Sequence, residues 1–559
     1  MRGLRELLGR GAPRGEASAP APPPRPPVQA EEAGEVLERY VVPRGAPREA
    51  AAEIRVVRRG GVGRCLVRLP PLDQGELGAL ALLKADLLSS IPADASGEQE
   101  RVIDAYVART AEAAGILPLV KEKHDKLLYY LLREFSGFWE VDPLIADDAI
   151  EEISVTRFDR PARVLHRGFS ELGFMETDVV YPSEERLQAF IRRLAQLGGT
   201  TVSLAQPSLE VTLHGPSDRR VTATLGDEIS RPGSTYAIRK QKERPLTLTQ
   251  LAAPETPRRA AGAPLLPSGP AEAYEETPTH KTLSVLMAAY FWLLLERTTT
   301  VLVAGETNSG KTTLMNAILA LTDPRAKIVT AEDVLEISLP DHLHWQRLKT
   351  RAHRAGLSPA SSRYEYGLSD LLKLALRFSP TVLSLGEMRG EESETVAAAI
   401  TLGFSTMTTV HAENAERCIQ RLTTPPMRFA EGHVRDITAI ATMRKTALSD
   451  GRVARRMVSV DEVKPVGPGG HEIVNIFSYD RAADAFSPTT AAEVVDRSYH
   501  LDQIGRTFGW APARVQASLE ARAAALSGQV AAGGFSPESL SEMVRRFSED
   551  DAARGPGAQ

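Results

Sequence analysis

An octapeptide at residues 305–312, with the sequence GETNSGKT, constrains the fold of this chain more than any other feature. It matches the pattern G-x-x-x-x-G-K-[ST] in full, and it follows an apolar β-type run at 299–304 and precedes a helix-type run at 313–321. The two glycines let the backbone curl so that successive N–H groups face one point, and the positive end of the following helix adds to their field. The pattern therefore predicts a phosphate-binding loop between a strand and a helix of an α/β domain.

The loop predicts a bound nucleotide and Mg²⁺. We expect Lys311 to reach the β- and γ-phosphates and the hydroxyl of Thr312 to bind Mg²⁺. The residues expected to contact the nucleotide are Gly305, Glu306, Thr307, Asn308, Ser309, Gly310, Lys311, Thr312 and Thr313. A chance glycine-rich loop is the ordinary alternative, and the flanking strand and helix argue against it. The loop alone does not distinguish a kinase from a GTPase or a motor, although no N/T-K-x-D sequence follows where a GTPase would place one.

Three further segments of the same region end apolar β-type runs in polar side chains. They read KIVTAEDVLE, TVLSLGEMRGEE and TMTTVHAEN, and they contain Glu332, Glu387 and His411 respectively. Ligands of α/β sheets bind beyond the carboxyl ends of the strands, so we expect these side chains to approach the same phosphate. Each has an ordinary alternative: a solvated strand end, the first turn of a helix, or a buried histidine with satisfied hydrogen bonds. Their occurrence together with the loop favours a catalytic role.

Composition and periodicity divide the 559 residues into six predicted segments. They are a disordered proline-rich N-terminus at 1–35, a small β plus helical region at 36–141, an α+β domain at 142–252, a linker at 253–280, a P-loop domain at 281–480, and a helical extension with a tail at 481–559. The first and fourth segments are rich in Pro, Ala and Gly, which bury too little apolar surface to offset the loss of chain entropy. Strands and helices alternate in the fifth, which indicates a largely parallel sheet.

Charge, cysteines and hydropathy narrow the function further. A net charge of −5 gives no global reason to expect nucleic-acid binding. Two cysteines, Cys65 and Cys418, are too few for a disulfide scaffold or a four-ligand zinc site, and each is predicted to be a small buried residue. The start, MRGLRELLGRG, lacks the apolar stretch of a secretory signal, and the run SVLMAAYFWLLL at 284–295 is short for a membrane span. We expect that run to be a buried helix and any membrane association to be peripheral.

The four motifs together resemble those of a known family. GETNSGKT, VTAEDVLE, LGEMRGEE and TMTTVHAENA look like the Walker A, Asp box, Walker B and His box of the type II/IV secretion system ATPases. The similarity is strongest to the archaeal branch, which includes pilus and archaellum motors. Upstream, RRVTAT and AIRK resemble the arginine-bearing strands of the family and contain Arg220 and Arg239. The resemblance extends over about residues 100–480 and is weak at the termini.

This resemblance implies a RecA-like P-loop ATPase domain, joined through a hinge to an α+β, PAS-like N-terminal domain, with helical or disordered extensions. It implies a homo-hexameric ring, with ATP and Mg²⁺ bound between the two domains of a protomer. The implied membrane partner is the polytopic inner-membrane platform protein of a secretion or pilus system. Direct nucleic-acid binding is not expected, and the chain would be cytoplasmic and peripheral on the cytoplasmic face of the membrane.

The resemblance also implies roles for individual residues. Glu332 is the first choice for polarising the attacking water, with Glu387 as the alternative or as the acid on the Mg²⁺ side. His411 would sense the γ-phosphate and report its loss. Arg220 and Arg239 would neutralise phosphate charge from the N-terminal domain, although a surface strand position explains each equally well. Weaker candidates of the same kind are Arg351, Arg363 and Arg389.

The sequence departs from the family pattern at three places. Gly386 stands where many P-loop ATPases have a Walker B aspartate, which leaves Glu387 as the acid of that strand. The His box opens with Gly403 and Phe404 instead of the usual Gly-His pair, so that only His411 carries over. The linker at 253–280 is also longer than the family requires.

The sequence leaves three functions open. The first is a motor that assembles a pilus or filament or drives a type II/IV secretion machine. A conjugation-type ATPase for DNA or protein transfer would have the same fold and chemistry. A nucleotide-gated scaffold without turnover is disfavoured, because Glu332, Glu387 and His411 are all present.

Overall fold

The computed structural model describes residues 34–43, 50–90, 99–215, 218–241, 245–255, 279–340, 342–351, 366–449 and 451–554. Outside these lie almost all of the predicted disordered segment 1–35, most of the linker 253–280, Arg363 and the end of the tail. The described chain forms two nine-stranded sheets, one in each half of the sequence.

The first sheet is built from the N-terminal half. Its strands are β1 (Glu35–Val42), β2 (Ala52–Arg59), β3 (Val62–Arg68), β4 (Ile150–Val155), β5 (Arg163–His166), β6 (Phe174–Thr177), β7 (Ser208–Leu213), β8 (Arg219–Thr224) and β9 (Thr235–Lys240). They lie in the order β1-β2-β3-β6-β5-β4-β9-β8-β7. Neighbours are antiparallel except β3 and β6, which join an N-terminal three-stranded unit to the rest. The pairing of β8 with β9 puts Arg220 opposite Arg239.

The helices described in this half form one bundle and one layer on the sheet. They are α1 (Gln74–Ser90), α2 (Gln99–Ala113), α3 (Leu117–Glu122), α4 (His124–Phe135), α5 (Asp142–Ala146) and α6 (Glu184–Leu197). Helices α1 to α4 share a core of their own, which includes Leu83 and Leu127. Helix α6 begins after Ser183, whose hydroxyl accepts a hydrogen bond from the N–H of Arg186 at 3.2 Å, as expected for an N-cap. It buries Phe190 in the core of the first sheet.

The second sheet contains the phosphate-binding loop. Its strands are β10 (Thr300–Gly305), β11 (Ile328–Glu332), β12 (Trp345–Lys349), β13 (Val382–Leu385), β14 (Ser405–Val410), β15 (Ala439–Ala447), β16 (Val453–Val466), β17 (Gly470–Asp480) and β18 (Ala485–Ser487). They lie in the order β12-β11-β13-β14-β10-β15-β16-β17-β18. The six strands β10 to β15 are parallel to one another, and β16, β17 and β18 are antiparallel to their neighbours. The carboxyl ends of β10, β11, β13 and β14 therefore meet at one edge.

The helices described in the second half cover both faces of this sheet. They are α7 (Leu248–Ala252), α8 (Val285–Leu294), α9 (Lys311–Leu319), α10 (Leu368–Arg377), α11 (Glu392–Thr401), α12 (Ala415–Thr423), α13 (Glu431–Arg435), α14 (Ala491–Arg497), α15 (Tyr499–Phe508), α16 (Pro512–Ala531) and α17 (Pro537–Arg554). Helix α8, the apolar run of the sequence, is buried as predicted. A helix that is apolar on all sides must be covered, and α16 and α17 cover it with Leu519 and Leu540, which belong to the same core.

The architecture confirms the predicted fold class. The C-terminal half is an α/β P-loop domain in which β14 separates the loop strand β10 from β13, and the N-terminal half is α+β. Cys65 and Cys418 are both free and buried, as predicted. In the described ranges, no helix has both the length and the apolar composition that crossing a membrane requires.

Candidate nucleotide-binding site

The phosphate-binding loop (residues 305–312) has a backbone that ordinary side chains resist. Gly305 has φ 156° and Gly310 has φ 96°. A Cβ atom on Gly305 would lie 2.5 Å from the main-chain oxygen of Met443 and 2.5 Å from Oγ of Ser309, so no larger residue fits. Asn308 has φ 60°, a left-handed conformation that asparagine tolerates better than most residues. The two glycines of the motif are therefore required by backbone angle, and the first also by space.

Lys311 lies at the start of α9, close to two carboxylates. Its Nζ donates to the main-chain oxygen of Glu306 at 2.9 Å. Burial lowers the pKa of Lys311, and the negative charges of Glu387 and Glu336 oppose that shift. The lysine therefore stands within the electrostatic reach of Glu387, which the sequence predicts for the site, and of Glu336, which it does not.

Three strands direct their last residues to the face of the sheet that carries α9. Ile328 of β11 and Val382 of β13 pack in the core that contains α9, whereas their next neighbours along each strand pack in the core on the other face. Side chains alternate between faces, so Glu332 and Gly386, an even number of residues further on, face α9. The same alternation on β14 puts His411 on this face.

His411 contacts the phosphate-binding loop directly. Its Nε2 lies 3.1 Å from Oγ1 of Thr307. Its main-chain oxygen accepts a hydrogen bond from Arg421 at 3.0 Å, which anchors the end of β14 to α12. His411 thus lies against the loop, and the imidazole is held where it would respond to a change in the loop. Its approach to a γ-phosphate stays a prediction.

Glu332 is buried, with 1% of its surface exposed. Its Oε1 accepts hydrogen bonds from the N–H groups of Glu336 and Ile337, both at 2.8 Å. Its Oε2 is buried, and it has no hydrogen-bond partner within the described part of the chain. Burial raises the pKa of Glu332 to about 7, although the two backbone hydrogen bonds oppose the rise. The carboxyl group thus fixes the turn after β11 and titrates near neutral pH.

The glycine at the Walker B position has a steric explanation. A Cβ atom on Gly386 would lie 3.4 Å from Cγ of Glu332, already in van der Waals contact. A longer side chain such as aspartate would compete with Glu332 for the same volume. Glu332 from β11 therefore lies within van der Waals distance of the side-chain position at residue 386.

Glu336 is the site residue that the sequence interpretation missed. It is exposed, and its charge acts on both Lys311 and Arg389. Glu387 forms an ion pair with Arg389, one of the weaker arginine candidates, at 2.5 Å. The available signal for Glu336 was the third carboxylate of VTAEDVLE. That carboxylate alone does not predict a site residue, because tertiary contacts set the path of the backbone after a strand and therefore the direction in which the side chain points.

The two N-terminal arginines behave differently. Arg239 donates from Nη2 to Oδ1 of Asn308 at 2.6 Å, which brings it to the phosphate-binding loop from the first sheet. Arg220 lies opposite Arg239 on the neighbouring strand, but its guanidinium forms an ion pair with Glu210 of the same sheet. Arg351 makes a β-bridge with Tyr366 next to the edge strand β12. Of the predicted arginines, the structure thus brings Arg239 into contact with the loop and leaves Arg220 in an ion pair beside it.

The donor set fits Mg²⁺ bound together with a nucleotide. No group of three or more His, Cys, Asp or Glu side chains that could hold a metal by itself occurs among the described residues. Mg²⁺ typically keeps several waters and uses one or two protein oxygens plus substrate phosphates. Thr312, in the first turn of α9, and Glu387, at the end of β13, are donors of this kind.

Comparison with known proteins agrees with this geometry. The family model described as type II/IV secretion system protein matches residues 282–442, which contain the phosphate-binding loop and the three strand-end motifs. The protein MJ1287 of Methanocaldococcus jannaschii is 35% identical over 244 residues, 43% of this chain and 86% of that protein. The type IV secretion system protein PtlH of Bordetella pertussis is 42% identical over 124 residues, 22% of this chain and 35% of PtlH.

Among solved structures, the VirB11 ATPase of the Brucella suis type IV secretion system is similar at 22% identity. That likeness covers 58% of this chain and 93% of VirB11, with a TM-score of 0.26. The family match and the extent of the relationship to MJ1287 identify the chain by sequence, independently of any superposition. This chain belongs to the type II/IV secretion system ATPase family.

Proposed function

We propose that this chain hydrolyses ATP with Mg²⁺ as a homo-hexameric motor, which powers assembly of a pilus or filament or drives a type II/IV secretion machine. The observation that carries the proposal is the hydrogen bond of 2.6 Å between Arg239, on the first sheet, and Asn308, in the phosphate-binding loop of the second. A motor must convert a change at the nucleotide into movement of one domain against another. A direct contact between the N-terminal half and the loop supplies such a route.

The chemistry needs charge stabilisation and an oriented water more than covalent help. In the proposal, Lys311 and the loop N–H groups hold the phosphates and Thr312 holds Mg²⁺. Glu387 is either a second Mg²⁺ ligand or the acid that orients the water. When bound, Mg²⁺ neutralises charge on the β- and γ-phosphates. His411 senses the γ-phosphate through the loop, because its Nε2 already contacts Thr307.

Three carboxylates are candidates for orienting the attacking water. Glu332 is the choice from sequence, but one of its oxygens is committed to the N–H groups of Glu336 and Ile337. The charges of Glu336 and Glu387 both act on Lys311. We therefore propose that Glu336 or Glu387 orients the water and that Glu332 holds the turn from which Glu336 projects.

A steady-state ATPase assay on the purified full chain tests the proposal. We expect Lys311→Ala to abolish Mg²⁺-dependent turnover, because the lysine supplies the positive charge that binds the β- and γ-phosphates. Arg325→Ala is the matched control, since Arg325 is exposed and pairs with Asp323. A wild-type chain that binds ATP without turnover would instead support the scaffold function.

Three carboxamide variants assign the carboxylates in the same assay. We expect Glu336→Gln or Glu387→Gln to bind ATP and to lose turnover by about a hundredfold or more, in the usual range for a group that acts in general base catalysis. Glu332→Gln keeps the side-chain oxygen that accepts the two backbone hydrogen bonds, so it should lose less. If Glu332→Gln alone stops turnover, Glu332 is the base.

The same proposal places the chain at the cytoplasmic face of a membrane, as a peripheral partner of a polytopic platform protein. The proposed function does not include direct binding of nucleic acid. ATPase activity that is stimulated by DNA, with a steep dependence on salt, would point to conjugation-type transfer instead.

A further inference from the structure

A second arginine reaches the tip of the phosphate-binding loop, from β16 of the second sheet. We propose that Arg455 is a positioning residue: it holds the loop at Asn308 and ties that loop to Glu151 of the N-terminal half. The inference rests on the proposed function, because it concerns how the same site is set for ATP.

Arg455 makes two polar contacts at the loop and fills space next to Gly310. Its Nε donates to the main-chain oxygen of Asn308 at 3.0 Å. Its Nη2 forms an ion pair with Oε2 of Glu151, on β4, at 3.5 Å. Its Cδ lies 3.3 Å from the position that a Cβ on Gly310 would occupy. One side chain thus bonds to the loop tip at Asn308 and to the opposite half of the molecule at Glu151, and it occupies the space beside Gly310.

The contact with Asn308 acts on a peptide whose N–H side, that of Ser309, already donates to the main-chain oxygen of Glu306 at 3.3 Å, so that Arg455 holds its carbonyl side. Asn308 is in the left-handed conformation, which costs more for any residue other than glycine. A charged donor on its carbonyl oxygen favours one orientation of the peptide plane, and the planar peptide bond transmits that orientation to the next N–H group. The N–H groups that follow are those that must face a phosphate. Arg455 can therefore improve nucleotide binding without touching the nucleotide.

The contact with Glu151 crosses between the halves of the molecule. Glu151 lies among three cations, and its negative charge acts on Arg167 and Lys445 as well as pairing with Arg455. Lys445 is opposite Arg455 in the pairing of β15 with β16, so the two cations face Glu151 from adjacent strands. With Arg239 on the side-chain oxygen of Asn308, the loop tip is held by one arginine from each half.

The test uses the full chain, with ATPase kinetics and the affinity for a fluorescent ATP analogue as readouts. We expect Arg455→Ala to raise both KM and the Kd of the analogue by about tenfold, since a hydrogen bond from a charged group is lost, with kcat changed by less than about twofold. Arg455→Lys keeps the charge but cannot bond Asn308 and Glu151 together, so it should show most of the same rise. Thermal unfolding of Arg455→Lys should match the wild type.

Glu151→Gln separates the coupling from a local effect. If Arg455 acts through Glu151, Glu151→Gln should raise KM several-fold, and the double variant Glu151→Gln/Arg455→Ala should be no worse than Arg455→Ala. An unchanged KM in Glu151→Gln, or changes in KM that add fully in the double variant, would overturn the coupling. An unchanged KM in both Arg455 variants would overturn the positioning role. A wild-type chain that neither binds nor hydrolyses ATP would instead remove the proposed function. The control is again Arg325→Ala.

Discussion

Asn308 and Glu332 show how much of this site depends on groups that never touch a phosphate. Asn308 receives hydrogen bonds from Arg239 and Arg455 on two different oxygens. Glu332 uses one oxygen to hold the turn after β11, and its Cβ and Cγ lie beside Gly386. The reactive geometry is therefore set by neighbours that orient the loop and the turn, which is the usual requirement for preorganised catalysis.

Glu332 should make the stability of the P-loop domain depend on pH. Its folded pKa, about 7, is above the ordinary value for glutamate. The stability that the protonated form provides is complete below the unfolded pKa and is lost as pH rises through 7, by roughly 3 kcal/mol at most. Glu332→Gln imitates the protonated form. We expect it to unfold at the same temperature as the wild type at pH 5 and several degrees higher at pH 8, measured by calorimetry.

Glu336→Gln is the control for this effect. Glu336 is exposed on the same turn, and its charge is the smallest of the causes that act on the pKa of Glu332, so its substitution should leave most of the difference between pH 5 and pH 8 as it is in the wild type. Equal unfolding temperatures for Glu332→Gln and the wild type at both pH values would contradict a raised pKa for Glu332.

At the scale of elements, the C-terminal helices are part of the P-loop domain. Helices α16 and α17 cover the apolar α8, and the turn between them contacts α7, which follows the last strand of the first sheet. Oγ1 of Thr247 donates to the main-chain oxygen of Phe535 at 2.9 Å, and Oγ1 of Thr249 donates to that of Gly534 at 3.1 Å. The chain between the two sheets is thus held by the turn that joins α16 to α17.

Removing both hydroxyls should loosen this turn. Thr247→Val with Thr249→Val keeps the shape of both side chains but leaves two main-chain oxygens with weaker partners, at a cost of about 1 kcal/mol each. We expect faster hydrogen exchange in α17 and a lower unfolding temperature. Thr401→Val, which removes an exposed bond to Ala397 inside α11, should change neither. Unchanged exchange in α17 would mean that packing against α8 alone holds the helix.

The sequence predicted the elements with a local signature. The loop motif predicted β10 and α9, and the acids at strand ends predicted β11 and β13. It could not predict Arg455, because that residue reaches the loop only after β16 pairs with β15 beside β10, and no local pattern marks a register between strands. The difference between Arg220 and Arg239 was equally hidden, since it depends on which one meets Asn308 and which one meets Glu210.

At the scale of the whole molecule, the two halves meet at the phosphate-binding loop, and each half supplies an arginine that bonds to the other half. Arg239 reaches the loop from the first sheet, and Arg455 reaches Glu151 from the second. A nucleotide that moves the loop tip must disturb both contacts at once. The relative position of the halves should therefore depend on the bound nucleotide.

Fluorescence energy transfer between Leu204→Cys and Leu402→Cys measures that dependence. These positions are 60% and 68% exposed, on the first and second halves, while the native Cys65 and Cys418 are buried and should resist labelling. Labelled chain diluted into excess unlabelled chain restricts the signal to one protomer of the proposed ring. We expect the transfer efficiency to differ between ATP and ADP, because the loop tip is bonded to both halves.

The arginine pair supplies the matched comparison for this measurement. Arg239→Ala removes the bond to Asn308 and should abolish most of the nucleotide-dependent difference in transfer efficiency. Arg220→Ala changes the same residue type on the adjacent strand, but it breaks only the pair with Glu210, so the difference should persist. If both variants behave like the wild type, the halves are coupled elsewhere. If both lose the difference, Arg220 also reaches the nucleotide once it is bound.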